Sequence, residues 1–299
     1  MNDSERYSAS DSEFRIAGVT VLYYPQGDVL KSIESYLMQV EHLYLIDNSD
    51  GITHLSLISD LSANGRVSYI CQKSNTGIAT ALNIAAERAC AAGYDWLLTM
   101  DQDSQAAAEM VHKQCEALMT ISGEKVGMLA PFHVTKAQKH PPETVISNVM
   151  TPMTSGCLLS LSAYREVGGF REEFFIDFVD NEYCLRLRSH GWRVVRANRA
   201  LLNHNVGDIH KYGPFIATNH SPIRRYYKTR NRFKVFREYV RLFPGHCLFD
   251  LVRLTKEVGS IVLFENDKVA KLSMMFLGVR DFFRGRFGRY GGGGQFDKE

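Results

Sequence analysis

The sequence predicts an α/β fold: a mostly parallel central sheet flanked by helices, Rossmann-like in its order, with a C-terminal helical extension. Three observations predict it. Short β-branched, apolar runs alternate with helical patterns through residue 135, the mark of successive βαβ units. Those runs are apolar at nearly every position, as strands covered on both faces require. From about residue 222 the strand patterns give way to helical ones.

The elements follow in order. Residues 1–14 read as a polar leader without fixed structure. "IAGVTVLYYP" is a first strand, stopped by Pro25. Residues 28–40 put Val29, Leu30, Ile33, Leu37 and Val40 on one helical face, with Asp28 as N-cap. "HLYLIDNSD" and "RVSYICQK" are the second and third strands. "NTGIATALNIAAERACAAG" is an Ala-rich helix closed by Gly93, and "YDWLLTM" is the fourth strand. Residues 105–122 are helical, and "VGMLAPF" is the fifth strand. "TPMTSGCLLSLSAYREVGGF" reads as a strand or hairpin, then a helix with a Gly-rich turn. A helix starts at Asp180, and "WRVVRANRALLNHNVGD" returns to strand. Helices follow from 222, near 246–264 and near 267–283. These bounds divide the chain into an α/β domain over 15–221, a helical extension over 222–285 and a flexible tail over 286–299, with a change of pattern inside the first after residue 135.

Net charge is +2, from 35 basic and 33 acidic residues, so total charge selects no partner class. The six cysteines form no C-x-x-C pair and read as reduced thiols. No apolar h-region opens the chain and no apolar run approaches ~18 residues, so a cytoplasmic protein is expected.

The chemistry-bearing residues sit at strand ends, where ligands bind in such sheets. "TMDQDS" places Asp101 and Asp103 at i and i+2 after a buried strand. Their hard oxygens suit Mg²⁺ or Mn²⁺ shared with a substrate diphosphate; a solvated turn is the plainer alternative. Residues 224–241 are strongly basic, and the spacing of Arg224, Tyr227 and Arg230 sets them on one helical face. Arg forks suit a diphosphate, and an ordinary basic helix surface is the competing reading. No nucleic-acid recognition motif accompanies the run. It and the helices after it could contact an anionic inner-membrane surface peripherally, pack on the catalytic domain, or join subunits of a homo-oligomer.

Taken in order, the strand ending at Pro25, "IDNSD", "NTGIATALN", "WLLTMDQDS", "TSGCLLS" and "FFIDFVDNEYCLRLRSHGW" resemble the inverting family 2 glycosyltransferases with the GT-A fold. "FFIDFVDNEYCLRLRSHG" and "HSPIRRYYKTRN" look most like the bacterial dTDP-rhamnosyltransferases. The resemblance covers roughly residues 16–235 and implies that 15–221 is a catalytic domain, with a nucleotide-binding half over 15–135 and an acceptor-binding half over 136–221. It implies a nucleotide-sugar site holding Pro25, Asp47, Asn75, Gly77, Asp101, Arg224, Arg225, Tyr227 and Arg230. Asp47 would accept from the base, unless it only closes an Asx turn. Asn75 and Gly77 would open a helix beside the phosphates, unless they only cap it. Asp103 would bind the metal directly, Asp101 the ribose or the metal's water shell, and His204 would complete the shell, with His210 and His220 as alternatives. Ser155, Gly156 and Glu182 would face the acceptor; a tight turn and a helix cap are the alternatives for them. Asp180 would be the general base, with Asp177 its nearest rival; Val179 replaces the first acid of the family's pair.

The implied reaction moves L-rhamnose from dTDP-β-L-rhamnose to a hydroxyl of a saccharide acceptor, free or lipid-linked, in cell-surface polysaccharide synthesis. A UDP-sugar donor, a nucleotidyltransferase and a non-catalytic glycan-binding module are the competing readings. "YYPQGD" lacks the Gly-rich basic loop of a nucleotidyltransferase.

Overall fold

β1 (Ile16–Leu22) is buried at every position but one, and it is the middle of the parallel part of the sheet. It pairs in parallel with β2 (His42–Asp47) on one side and β4 (Trp96–Asp101) on the other. The computed structural model describes residues 13–51, 58–62, 65–135, 140–204, 210–212 and 215–291. Among these the chain divides into two units: residues 1–170 with 183–205, and 171–182 with 206–299. The stretch expected as an acceptor-binding half over 136–221 is thus shared between both units.

The first unit holds a mixed sheet in the order β3-β2-β1-β4-β8-β6-β9-β5, with β7 also paired to β9. Here β3 is Val67–Cys71, β5 Ser104–Ala106, β6 Val126–Val134, β7 Ile146–Asn148, β8 Cys157–Ser160 and β9 Arg193–His204. The run β3-β2-β1-β4 is parallel, as is β6 with β9; β8 is antiparallel to both its neighbours. α1 (Val29–Leu37), α2 (Ser59–Ser62), α3 (Ile78–Ala91), α4 (Met110–Thr120) and α5 (Leu161–Val167) connect and cover the strands. Asp28 stands at the N-cap of α1, yet its side chain makes no capping bond. α3 packs through fully buried alanines 79, 81, 85, 86 and 89, whose small side chains allow close approach to the sheet. The leader is not entirely free: Phe14 sets its ring edge-on to Trp96, while residues 1–12 lie outside the described part.

In the second unit, β10 (His210–Tyr212) and β11 (Phe215–Ala217) form a hairpin, and α7 (Pro222–Tyr239), α8 (Pro244–Phe264) and α9 (Lys268–Phe283) follow. α6 (Val179–Ser189) is divided between the units after Glu182. α7 and α9 cross closely: a Cβ at Gly278 would stand 2.6 Å from the Tyr226 carbonyl oxygen. No described helix is long and apolar enough to cross a membrane.

The basic helix α7 departs from both readings of its sequence. Arg225, Arg230 and Arg232 are at most 3% exposed. Their charges meet acids of the following helices: Arg225 pairs with Glu257 and Glu265, and Arg232 with Asp250 and Glu257. Lys271 Nζ adds a 3.0 Å bond to Glu265. The described part of the tail is also tied down, with Gly288 N donating to Glu173 O and Tyr290 N to the Tyr227 hydroxyl.

Candidate active site

In the first unit the parallel strands end together, because register aligns Leu22 with Asp47 and Val21 with Asp101. Their carboxyl-end loops therefore form one edge. Two of these loops are cross-linked by short polar side chains. Asn48 Oδ1 accepts from Thr76 N and Thr76 Oγ1, Asn48 Nδ2 donates to Asn75 Oδ1, and Asp50 Oδ1 accepts from Asn75 N. Asn75 Oδ1 also accepts from Gly77 N, an Asx turn that leads into α3. Gly77 has φ +88, a conformation that glycine adopts without steric cost. Pro25 is buried in the loop after β1.

Asp47 is fully buried. Its Oδ1 accepts from Ser49 N at 3.0 Å and its Oδ2 from the Tyr69 hydroxyl at 2.5 Å. The first of these bonds is the Asx turn. The carboxylate orders the loop, and a base at this edge would meet a side chain already bonded on both oxygens.

The turn Asp101–Asp103 is anchored from three sides. Gln102 forms a two-bond clamp on the β1 loop: its Oε1 accepts from Tyr23 N at 2.9 Å and its Nε2 donates to Tyr23 O at 3.1 Å. Asp101 N donates to Ser155 Oγ at 3.1 Å, and Ser155 Oγ donates to Ser104 Oγ at 2.9 Å. Ser104 pairs with His204 in the β5–β9 ladder, which brings the His204 backbone beside this turn. The His204 side chain lies outside the described part, as does that of His210. Asp101 is partly buried and Asp103 exposed. Exposed hard-oxygen donors on a fixed turn fit Mg²⁺ or Mn²⁺, though no cluster of three His, Cys, Asp or Glu side chains occurs among the described residues.

Ser155 and Gly156 are corrected from acceptor contacts to supports. Ser155 is 2% exposed and its hydroxyl holds the D-x-D turn. Gly156 (φ +78) is closely approached by the core, since a Cβ there would meet Pro131 Cγ at 2.6 Å. Beside Ser155, whose carbonyl oxygen bonds His133 Nε2 at 2.9 Å, lies a cavity of about 280 Å³ lined by His133, Met150, Met153 and Arg196 among others.

In the second unit the loop before α6 leads into Asp180, which stands in the first turn of that helix. Phe175, Asp177 and Phe178 all have φ near +60°, a costly conformation for these residues. α7 holds them there. Asn231 Nδ2 lies within 3.0 Å of the carbonyl oxygens of Phe174, Ile176 and Asp177, and Arg230 donates to those of Glu173 and Phe174. Asn231 is a positioning residue that the sequence reading missed; a polar residue on the buried face of α7 was its only signal.

Asp180 Oδ1 accepts from Asn181 N at 2.8 Å and from Asn181 Nδ2 at 3.1 Å, while Oδ2 makes no hydrogen bond among the described residues. Burial pushes its pKa above the ordinary carboxylate value, and Asp177 adds to this against the Asn181 bonds. Asp177 itself is paired with Arg224 at 3.2 Å. His220 is lowered to about 4 by burial and by the cations Arg224, Lys228 and Arg225.

Four further expectations are corrected in this unit. Arg225 is buried and its two terminal nitrogens pair with Glu257 and Glu265. Arg230 is 1% exposed and lies over the Tyr226 and Tyr227 rings while binding backbone. Tyr227 is buried, stacked on Phe175 with ring centroids 5.1 Å apart. Glu182 is fully buried between the Tyr239 hydroxyl at 2.7 Å and Arg171 Nε at 3.0 Å, which leaves it no face for an acceptor sugar. Arg224, 46% exposed, is the one of the four α7 candidates that keeps an open side chain.

Comparison with known proteins gives the same outline. Residues 20–123 match the family described as Glycosyl transferase family 2. The dTDP-rhamnosyl transferase RfbF of Shigella flexneri is 27% identical over 314 residues, covering 94% of this chain and 98% of its own length. The structure of S. aureus TarS 1-349 in complex with UDP-GlcNAc aligns with TM-score 0.60 at 13% identity, over 91% of this chain and 81% of that one. The mannosyltransferase PcManGT from Pyrobaculum calidifontis, in complex with GDP-Man and Mn²⁺, aligns with TM-score 0.57 at 12% identity, over 94% and 78%. Identities this low carry the fold alone, while the family match carries the class. Residues 20–123 thus carry a match to glycosyl transferase family 2, and the chain has an α/β fold of the GT-A type.

Proposed function

We propose that the enzyme transfers L-rhamnose, with inversion, from dTDP-β-L-rhamnose to a hydroxyl of a saccharide acceptor. The observation that carries the donor is the full-length similarity to the dTDP-rhamnosyl transferase RfbF. The nucleotide lies across the edge formed by Pro25, Asp47, Asn75 and Gly77, whose backbone N–H groups at the start of α3 favour phosphate charge. Asp101 and Asp103, with His204, would hold Mg²⁺ or Mn²⁺, which would supply positive charge to the departing diphosphate. Arg224 contributes further positive charge.

Asp180 takes the proton from the acceptor hydroxyl as that oxygen attacks the anomeric carbon. Its unbonded Oδ2 and raised pKa support the assignment, and the Arg224 pairing of Asp177 counts against the rival. The raised pKa makes Asp180 a stronger base than an ordinary carboxylate. The acceptor belongs to cell-surface polysaccharide, and the enzyme works at the cytoplasmic side of the inner membrane.

The test is a donor panel: purified protein, Mn²⁺ or Mg²⁺, and dTDP-rhamnose beside UDP- and GDP-sugars, with nucleotide release as readout. Release from dTDP-rhamnose at least about tenfold faster than from the others is expected. A preference for a UDP-sugar overturns the donor assignment, and no release from any donor across a range of saccharide acceptors overturns catalysis.

A further inference from the structure

The second unit contains a cavity of about 420 Å³ that the glycosyl transfer described above does not use. It is lined by Asn181, Arg225, Lys228, Arg232, Arg253 and Lys256, against the carboxylates of Asp250 and Glu257. Five cations thus face two anions. Those two acids are committed already: Asp250 to Arg232, and Glu257 to Arg225, Lys228 and Arg232. Burial would push Glu257 up, yet Lys228, Arg232 and Arg225 together hold it at about 2. Arg253 and Lys256, both exposed, form no ion pair among the described residues.

A second observation concerns hydrogen bonds. Three buried polar atoms on lining residues have no hydrogen-bond partner among the described residues: Arg225 Nε, Arg232 Nη1 and Ser260 Oγ. Their residues are 1%, 3% and 1% exposed. A buried donor without an acceptor is costly, more so when charged, so such groups call for an explanation. Guanidinium N–H groups, an ammonium pair and a hydroxyl converging on one cavity suit a ligand with several anionic oxygens.

We infer that this cavity between α7 and α8 is a binding site for a phosphate or diphosphate group. It stands apart from the D-x-D edge in composition, sharing no residue with it. It also touches the catalytic loop, because Asn181 lines the cavity and donates both its N–H groups to Asp180 Oδ1. A phosphate ester reaching it could be water-soluble or a lipid headgroup. α8 itself carries exposed Leu248, Phe249, Val252 and Leu263 along with Arg253 and Lys256, so the same helix offers apolar surface to a lipid.

Calorimetric titration of the full chain with sodium pyrophosphate, in EDTA to silence metal-dependent binding, tests the site. The double variant Arg253→Gln/Lys256→Gln removes two unpaired surface cations. It should weaken pyrophosphate binding at least about tenfold, the loss expected from one charge-assisted hydrogen bond. Asp103→Ala should leave it unchanged. Unaltered binding in the double variant overturns the proposal, as does loss of binding in Asp103→Ala, which would move the ligand to the donor edge. Cosedimentation with phosphatidylglycerol/phosphatidylcholine vesicles, absent with phosphatidylcholine alone and reversed by pyrophosphate, would assign the lipid headgroup. Pyrophosphate binding without cosedimentation would assign the soluble source, and neither signal overturns the site. Donor turnover is read separately, so failure here and failure of the rhamnosyl assignment are distinguishable.

Discussion

Asn231→Leu is the substitution that asks most of the catalytic loop. Leucine has a similar volume and no donor, so the buried face of α7 stays filled while the bonds to the loop go. Phe174 O keeps Arg230 Nη2 and Ile176 N as donors, at 3.1 and 2.8 Å. Ile176 O and Asp177 O lose the amide that bonds each of them at 2.9 Å. A net contribution of about 1 kcal/mol per hydrogen bond puts the loss for this loop state at about 2 kcal/mol. The loop has a reason to leave that state, because its left-handed residues each cost roughly 1–3 kcal/mol where they stand. At 1.4 kcal/mol per factor of ten, the competent conformation falls about 30-fold in population. Turnover of the donor identified in the panel should fall by about that factor, with metal-dependent nucleotide binding unchanged. Steady-state rates, nucleotide titration and a thermal melt on the same preparation make the assay. A folded Asn231→Leu protein turning over within about threefold of the wild type refutes the claim that α7 holds Asp180 in place.

Other expectations concern single charges. Asp103→Ala should abolish metal-dependent nucleotide binding, measured calorimetrically, while leaving the melting temperature unchanged because the side chain is exposed; unaltered binding removes it from the metal site. Asp180→Asn should stop transfer and preserve nucleotide binding. Because burial raises this carboxyl's pKa, its contribution to stability is full below the unfolded value near 3.8 and lost as pH rises through the folded pKa. The Asn variant should therefore melt no lower than wild type at pH 7, and the acid limb of wild-type kcat/KM should lie above 3.8; a limb at or below that value counts against the base. Glu265→Gln leaves Arg225 and Lys271 buried without their shared carboxylate and should cost about 3–5 kcal/mol in denaturant melts. Glu257, held at about 2 against an ordinary 4.5, contributes stability present above 4.5 and lost as pH falls towards about 2; an acid titration of the melting temperature shows whether that window exists.

The sheet and its edge were legible because buried parallel strands leave an unbroken apolar signature and end in polar turns. β1, β2 and β4 carry it, and the acids at 47, 101 and 103 mark their ends. α7 was not legible in the same way. Its arginines look like a basic surface because their acids arrive 18 to 40 residues later in the chain, beyond the reach of any local pattern. Asn231 was hidden for the same reason, its acceptors lying 54 to 57 residues earlier. The family resemblance alone puts Ser155 and Gly156 against an acceptor, with a tight turn as the alternative. Only packing shows that their neighbours are Ser104 and Pro131.

Gln102 changes how the D-x-D motif should be treated in engineering. Its middle letter is usually written as a blank, yet here it is the fastener between two neighbouring loops. The two-point grip on Tyr23 needs a donor and an acceptor side by side at the right reach, which among natural side chains means a carboxamide. A library randomised at position 102 would therefore be expected to return Gln, with Asn falling a methylene short. Attempts to retune donor choice are better aimed at the exposed Tyr24 beside it, which can vary without unfastening the lip of the site.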